Sequence, residues 1–301
     1  MKLPTLLALP LTRYNVSEGH MACPLCQATE YRPLAAIDRR LKRLDQGVCT
    51  TCGLVRHVPL PSEAALEQYY ASDYRADYHL VFRAPSESKR HKRLAVAKPR
   101  LDRIAAFLPA GGRVLDFGCG SGEFIETCNA AGFSAAGFEP GEDYAHYARE
   151  ERKLEVQTGR WQDVSFEGLF SGITSFHVFE HLVDPCAALE RMLTWLEPDG
   201  VIYLETPNAL RGIERKGFAS LHFAHTLGFT RYSMEALGAK VGLTPVAVMD
   251  DANIGMIFQR GAARPMEQIF ADARAEWAGW TQGKVHAQFP KYLVNKAFGR
   301  L

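Results

Sequence analysis

From residue 113 to about residue 207, short apolar runs of strand length alternate with stretches whose apolar positions recur every three or four residues. Val114 and Leu115 start the series. A helix over 123–131 closes at Gly132, and a second strand follows over 133–138. A helix over about 141–152, a strand near 154–158 and a strand over 172–177 continue the alternation. Pro185 then opens a helix carrying Leu189, Met192, Leu193 and Leu196, a Glu-Pro-Asp-Gly turn ends at Gly200, and a fifth strand covers 201–205. Strand and helix in strict succession predict an α/β fold, a doubly wound and mostly parallel sheet with helices on both faces. Upstream, Ser62 caps a helix with Ala65, Leu66, Tyr69 and Tyr70 on one side. A basic run, Lys89 to Arg93, reads as the solvated face of a helix, and Pro99 as the start of a separate helical segment with Leu101, Ile104, Ala105 and Leu108 in register. Beyond residue 261, Phe270, Ala273, Trp277 and Trp280 fall at helical spacing. That stripe packs on the domain or forms a homodimer contact.

The first strand runs into Asp116 and then three glycines, Gly118, Gly120 and Gly122, with Cys119 between them. Glycines let the backbone approach a ligand, and the first turn of the following helix offers free N–H groups. Such a loop alone fits many nucleotide-type ligands. Glu139, 17 residues beyond Gly122 and followed by Pro140, stands near the offset at which a carboxylate accepts both hydroxyls of a ribose. Gly159 to Asp163 lies where an adenine would sit, with Trp161 its neighbour. His177, Glu180 and His181 follow the fourth strand, on the side where sheets of this kind bind ligands.

Cys23 and Cys26, then Cys49 and Cys52, form two Cys-x-x-Cys pairs separated by 22 residues. Four thiolates so spaced suit tetrahedral zinc, although the gap exceeds the usual range of about 15 to 20. A redox pair is the rival reading, but it normally opens a helix in a βαβ unit and occurs once. Four protein ligands leave no open position, so the metal would be structural, folding a small zinc-ribbon lobe. Cys119, Cys128 and Cys186 read as buried apolar side chains. Tyr69, Tyr70, Tyr74 and Tyr78 either lid a ligand or pack this lobe onto the larger domain.

The 301 residues allow one α/β domain with an appendage, and a 47% hydrophobic composition supports a sizeable core. A net charge of +1 leaves no basic footprint for nucleic acid or an anionic membrane, which favours a small acceptor. No run approaches the roughly 20 apolar residues of a spanning helix, and the cytoplasm is the expected compartment. The His20-Met21 pair reads as a cloning junction, so residues 1–21 are a disordered leader or an expression-vector segment. The remaining divisions are a zinc lobe and linker over 22–85, a cofactor-binding domain over 86–260 and a helical tail over 261–301.

Val-Leu-Asp-Phe-Gly-Cys-Gly-Ser-Gly (114–122), Gly-Phe-Glu-Pro (137–140), Phe-His-Val-Phe-Glu-His-Leu-Val-Asp-Pro (176–185) and Leu-Glu-Pro-Asp-Gly (196–200) together resemble class I methyltransferases that use S-adenosylmethionine. The four cysteines extend the likeness to a subgroup with an amino-terminal zinc lobe, which includes sugar C-methyltransferases. The resemblance covers roughly residues 22–260. It implies a seven-stranded sheet, Asp116 and the glycine loop at the methionine end of the cofactor, Glu139 at the ribose, and Cys119, Pro140, Trp161 and His177 around them. Residues 221–230 resemble the stretch in which sugar C-methyltransferases carry a Tyr-x-Glu-His. His225 falls on the family's histidine, a candidate base, while His222 replaces the tyrosine and Ala224 the acid. A histidine titrating near neutral pH can take a proton from a hydroxyl or an activated carbon, so His225, then His181 and His222, are the candidate catalytic residues. The expected function is methyl transfer to a small-molecule or sugar acceptor, nucleotide-linked or of a polysaccharide pathway. Zinc-guided RNA methylation, a non-enzymatic zinc-ribbon module and an NAD dehydrogenase are the alternatives. Near-neutral charge opposes the first, intact Asp116, glycines and Glu139 the second, and Asp116 ahead of the loop the third.

Overall fold

The computed structural model describes Tyr14 and residues 19–71 and 86–297. Tyr74 and Tyr78 lie outside the described residues. Strands β1 (Gly19–His20), β2 (Tyr31–Ile37), β3 (Arg43–Cys49), β4 (Val55–His57) and β5 (Leu60–Pro61) precede helices α1 (Glu63–Ala71) and α2 (Glu87–Ala105). The alternating unit follows: β6 (Arg113–Phe117), α3 (Glu123–Ala130), β7 (Ser134–Glu139), α4 (Glu142–His146), β8 (Glu155–Thr158), β9 (Phe170–Phe176), α5 (Pro185–Trp195) and β10 (Leu196–Pro207). Helix α6 (Ala209–Lys216), β11 (Leu227–Gly228), α7 (Arg231–Lys240), β12 (Leu243–Asp250), β13 (Asn253–Arg260), α8 (Met266–Glu276), α9 (Gln282–His286) and α10 (Phe289–Ala297) complete it.

Seven strands form one sheet in the order β12-β13-β10-β9-β6-β7-β8. β6 to β10 pair in parallel, and β13 runs against β10 and β12. The expected mostly parallel sheet is therefore present. Its strands read as nearly unbroken apolar runs because helices cover both faces; Leu115, Ile173, Ile202 and Leu204 are each fully buried. The chain winds from β6 outward through β7 and β8, then returns to the other side of β6 as β9. That reversal opens a crevice at the carboxyl ends of β6 and β9.

Two local readings are corrected. Pro99 does not begin a new helix but sits inside the continuous α2. Ala95, whose carbonyl loses its partner there, is exposed to water, while Ala97, Leu101 and Ile104 bury one common face. The turn before Gly200 is a bulge within β10, where the register against β9 shifts between Leu196 and Val201.

The cysteine lobe is a second sheet, β11-β4-β3-β2, whose edge strand β11 comes from beyond residue 220 in the larger domain. The tail packs on this lobe: Trp277, Val285 and Tyr292 join Leu34, Val48 and Val55 in one apolar cluster. The Arg32 guanidinium donates to the Trp277 carbonyl at 2.7 Å. The leader expected over 1–21 is anchored at two places. His20 pairs with Leu60, and Tyr14 stacks on Phe223 at 4.3 Å while its hydroxyl donates to Asp38. Tyr69 belongs to the same aromatic group, 4.4 Å from Phe223, and is only 4% exposed. Among the described residues no helix is long and apolar enough to cross a membrane.

Candidate active site

A cleft of about 610 Å³ opens at the crevice, lined by Asp116, Gly118, Gly120, Glu139, Tyr144 and His177 among others. Gly118 has φ +78°, and a Cβ there would stand 2.6 Å from Val178 Cγ2, so the turn out of β6 requires glycine. Gly120 faces open space, where an added Cβ would meet nothing within 4 Å. The loop backbone is thus presented to the cleft. Glu139, at the end of β7, accepts the Gly120 N–H at 3.0 Å and the Gly141 N–H at 2.9 Å, which ties the loop to the second strand. Burial raises the Glu139 carboxyl, and these two donors offset part of the rise. Asp116 accepts from the Thr174 hydroxyl at 2.9 Å; burial pushes its carboxyl up to about 7. Two acids beside a closely approachable glycine loop suit a ligand bearing a cation and a vicinal diol, the two ends of S-adenosylmethionine. Cys119 also lines the cleft. Pro140 is exposed and Trp161 packs half-buried against the main core, and neither is among the lining residues.

The basic run is not simply a solvated face. Lys92 and Arg93 line the cleft, Arg93 bonds Ser121, and Arg90 pairs with Glu126 on α3. Arg100 was not singled out by its sequence. It donates from Nε to Glu205 at 3.1 Å, lies 4.3 Å over the Phe176 ring, and forms a pair in which the side chains are 14% and 5% exposed. Burial would raise the Glu205 carboxyl, but the Arg100 guanidinium and the Tyr203 hydroxyl, 3.0 Å away, hold it below its ordinary value.

Behind the cleft lies a second cavity of about 320 Å³, with Gln46, His177, Glu180, Asn208, His222 and His225 in its wall. His177 borders both spaces. It holds φ +58°, a left-handed conformation uncommon for a residue with a side chain, and its N–H donates to the Glu205 carbonyl at 2.8 Å. The three candidate histidines come together: the ring centroids of His222 and His225 are 3.8 Å apart, those of His181 and His225 4.9 Å. Burial drives His225 well below its ordinary pKa and His222 to about 2, with the Arg39 charge adding to the shift on His222. At neutral pH these two rings are uncharged and weakly basic. Glu180 sits among the imidazoles, 3.4 Å from His177 Nδ1, 3.9 Å from His225 Nε2 and 4.0 Å from His181 Nε2.

The lobe places this histidine loop. Leu227 and Gly228 pair with Arg56 and Val55 of β4, immediately beyond His225. The His57 N–H donates to the Thr226 carbonyl at 3.0 Å, and the Thr226 hydroxyl donates to the Leu182 carbonyl at 3.0 Å. Where the lobe packs on the main core, in one cluster with Leu227 and Phe229, the four thiols converge. Cys23 and Cys52 sulfurs lie 3.5 Å apart, Cys26 and Cys49 sulfurs 3.5 Å apart, and all four fall within 4.8 Å of one another. Tetrahedral zinc with bonds of about 2.3 Å sets its sulfurs roughly 3.8 Å apart, so the set fits that ion.

A family model described as a methyltransferase domain matches residues 89–248. The ubiquinone biosynthesis O-methyltransferase of Xanthomonas axonopodis pv. citri (strain 306) is 30% identical over 117 residues, 36% of this chain and 49% of that protein. The namesake from Neisseria meningitidis serogroup C is 30% identical over 122 residues, covering 36% and 50%. The chain spans about half the length of the curated relatives it matches. Among solved structures, the PH0226 protein from Pyrococcus horikoshii OT3 superposes with a TM-score of 0.49 at 19% identity, over 63% of this chain and 99% of that one. The magnesium protoporphyrin IX methyltransferase of Synechocystis PCC 6803, solved with bound SAH, gives 0.49 at 14%, over 66% and 100%. The family match covers more than half of the 301 residues and contains the whole glycine-loop crevice: this chain belongs to the methyltransferase-domain family.

Proposed function

We infer that this chain transfers the methyl group of S-adenosylmethionine to a small polar acceptor held in the cavity beyond His177. The observation that carries the reading is that His177 borders both the cofactor cleft and that cavity, so a ligand in each would meet at one side chain. The cofactor supplies a methyl already activated on a sulfonium, and what the protein adds is chiefly proximity and alignment. Asp116 and the glycine loop hold the cationic end, and Glu139 accepts the ribose hydroxyls. Gln46 and Asn253 offer amides to hydroxyls of the acceptor, as a sugar requires. Arg39, Arg211, Arg215 and Lys216 line the same cavity and favour an acceptor with an anionic group, such as a nucleotide-linked sugar. Arg211 and Arg215 share their charge with Glu214 at 2.8 Å and Asp251 at 2.7 Å. His225, His181 and His222 are the groups placed to take the acceptor's proton. The low basicity of His222 and His225 makes them weak unaided bases. Zinc at the four cysteines is assigned a structural role.

The test is transfer of labelled methyl from S-adenosylmethionine to a panel of nucleoside diphosphate sugars and to transfer RNA. Label in a sugar product that disappears in Glu139→Ala is the expected result. Label in RNA alone refutes the small-acceptor reading, and calorimetric binding of NADH in place of S-adenosylmethionine refutes the cofactor.

A further inference from the structure

We propose that Glu180, His181 and His225 bind a divalent transition-metal ion at the inner wall of the acceptor cavity, separate from the four-cysteine centre. One carboxylate oxygen of Glu180, Nε2 of His225 and Nε2 of His181 converge, all within 4.8 Å of one another. Two imidazoles and one carboxylate on one side of an open space are a donor set used for iron, cobalt and zinc, with the remaining positions left for exogenous ligands. The Nε2 atoms of His225 and His181 stand 3.9 and 4.0 Å from the Glu180 oxygen, so an ion would have to draw the three inward.

Two independent observations point to a cation. The Glu180 side chain is 2% exposed, and among the described residues neither of its oxygens has a hydrogen-bond donor. A buried carboxylate left without donors is costly, and the groups around it are imidazole nitrogens rather than lysine or arginine. Second, His181 Nδ1 lies 2.7 Å from the Ala224 carbonyl. A ring nitrogen donating its proton to a backbone carbonyl makes Nε2 the unprotonated nitrogen of the ring, and it stands 4.0 Å from Glu180. That is the outer-shell arrangement that orients metal-binding histidines. Both ligand segments are held in place: Thr226 donates to the Glu180 carbonyl at 3.3 Å, and the β11–β4 pairing fixes the chain just beyond His225. With the ion bound, His181 and His225 would serve as ligands instead of bases, and His222, which also lines the acceptor cavity, would be the remaining imidazole for the acceptor's proton.

The site is tested by calorimetric titration of cobalt(II) into wild-type protein whose four-cysteine centre has first been filled with zinc. One further saturable equivalent is expected. It should carry only weak ligand-field absorption, because nitrogen and oxygen ligands lack the intense charge transfer of thiolates. Glu180→Gln and His225→Ala should each lose that equivalent while retaining zinc and S-adenosylmethionine binding, which reports on the fold. Any of three results overturns the proposal: no further equivalent in the wild type, thiolate charge transfer showing that cobalt has displaced the zinc, or undiminished cobalt binding in both variants.

Discussion

Replacing Glu139 by alanine isolates the contribution of one carboxylate to cofactor affinity. In the structure its two oxygens each take one backbone N–H, from Gly120 and Gly141, which leaves lone pairs for two ribose hydroxyls. A hydrogen bond to a charged group contributes about 1.5–3 kcal/mol, so losing two removes about 3–6 kcal/mol of binding. Each 1.4 kcal/mol is about tenfold, which predicts weakening of roughly a hundredfold to ten-thousandfold. The upper end requires a full charge on the carboxylate, and burial raises its pKa, so the lower end is expected near neutral pH. Two loop amides also lose their acceptor, at about 1 kcal/mol each, which lowers the melting temperature of the unliganded protein only modestly. Calorimetry with S-adenosylhomocysteine measures the affinity, and a thermal melt shows that the fold survives. Glu139→Gln, with one acceptor oxygen, should fall between. An alanine variant that binds within about threefold of wild type would falsify the assignment of Glu139 to the ribose.

Asp116 links affinity to pH. Its carboxyl titrates near 7, and the ionised form should favour a cationic ligand, so S-adenosylmethionine is expected to bind more weakly below about pH 7, by up to roughly tenfold per unit. The unliganded fold should behave oppositely, losing stability as pH rises from the ordinary value of 3.8 through about 7; a cofactor affinity that stays flat from about pH 6 to about pH 8 would exclude the link. Arg100→Met leaves the buried Glu205 with Tyr203, Asn253 and the more distant Arg103 and His177, and should cost about 3 kcal/mol in a denaturant melt. Cys49→Ser should lower bound zinc measured by plasma emission and expose the lobe to limited proteolysis; full zinc retention counts against the four-thiolate centre. Trp277→Ala empties the middle of the lobe–tail cluster and should cost about 3–5 kcal/mol, read as a shift in melting midpoint.

The parts of the fold written in local pattern were legible. β6 to β10 declare themselves by apolar runs, Gly118 to Gly122 by a turn that a side chain cannot make, and the cysteine pairs by spacing. Pro99 misled because proline punctuation was weighed without the common buried face of Ala97, Leu101 and Ile104. The inward role of Arg93 and Arg100 was hidden for another reason. Their partners Glu123 and Glu205 stand 30 and 105 residues away, and a run of cations looks solvated until the opposing acids are placed. His181, His222 and His225 were each visible as residues, but the convergence of His181 and His225 on Glu180, with His222 beside His225, depends on a loop pinned by the two-residue strand β11, too short to leave a periodic signal.

That short strand alters how the protein can be divided. β11 makes the cysteine lobe and the acceptor wall parts of one hydrogen-bonded sheet, with Thr226 bridging onward to the segment after β9. A chain trimmed before residue 86 would keep a cofactor cleft but lose Arg39, Gln46 and Val55 from the acceptor's enclosure. If the proposed cavity holds the acceptor, exchanging acceptor specificity with a relative is expected to require transplanting two discontinuous pieces together, the lobe and the 221–230 loop, as a single graft.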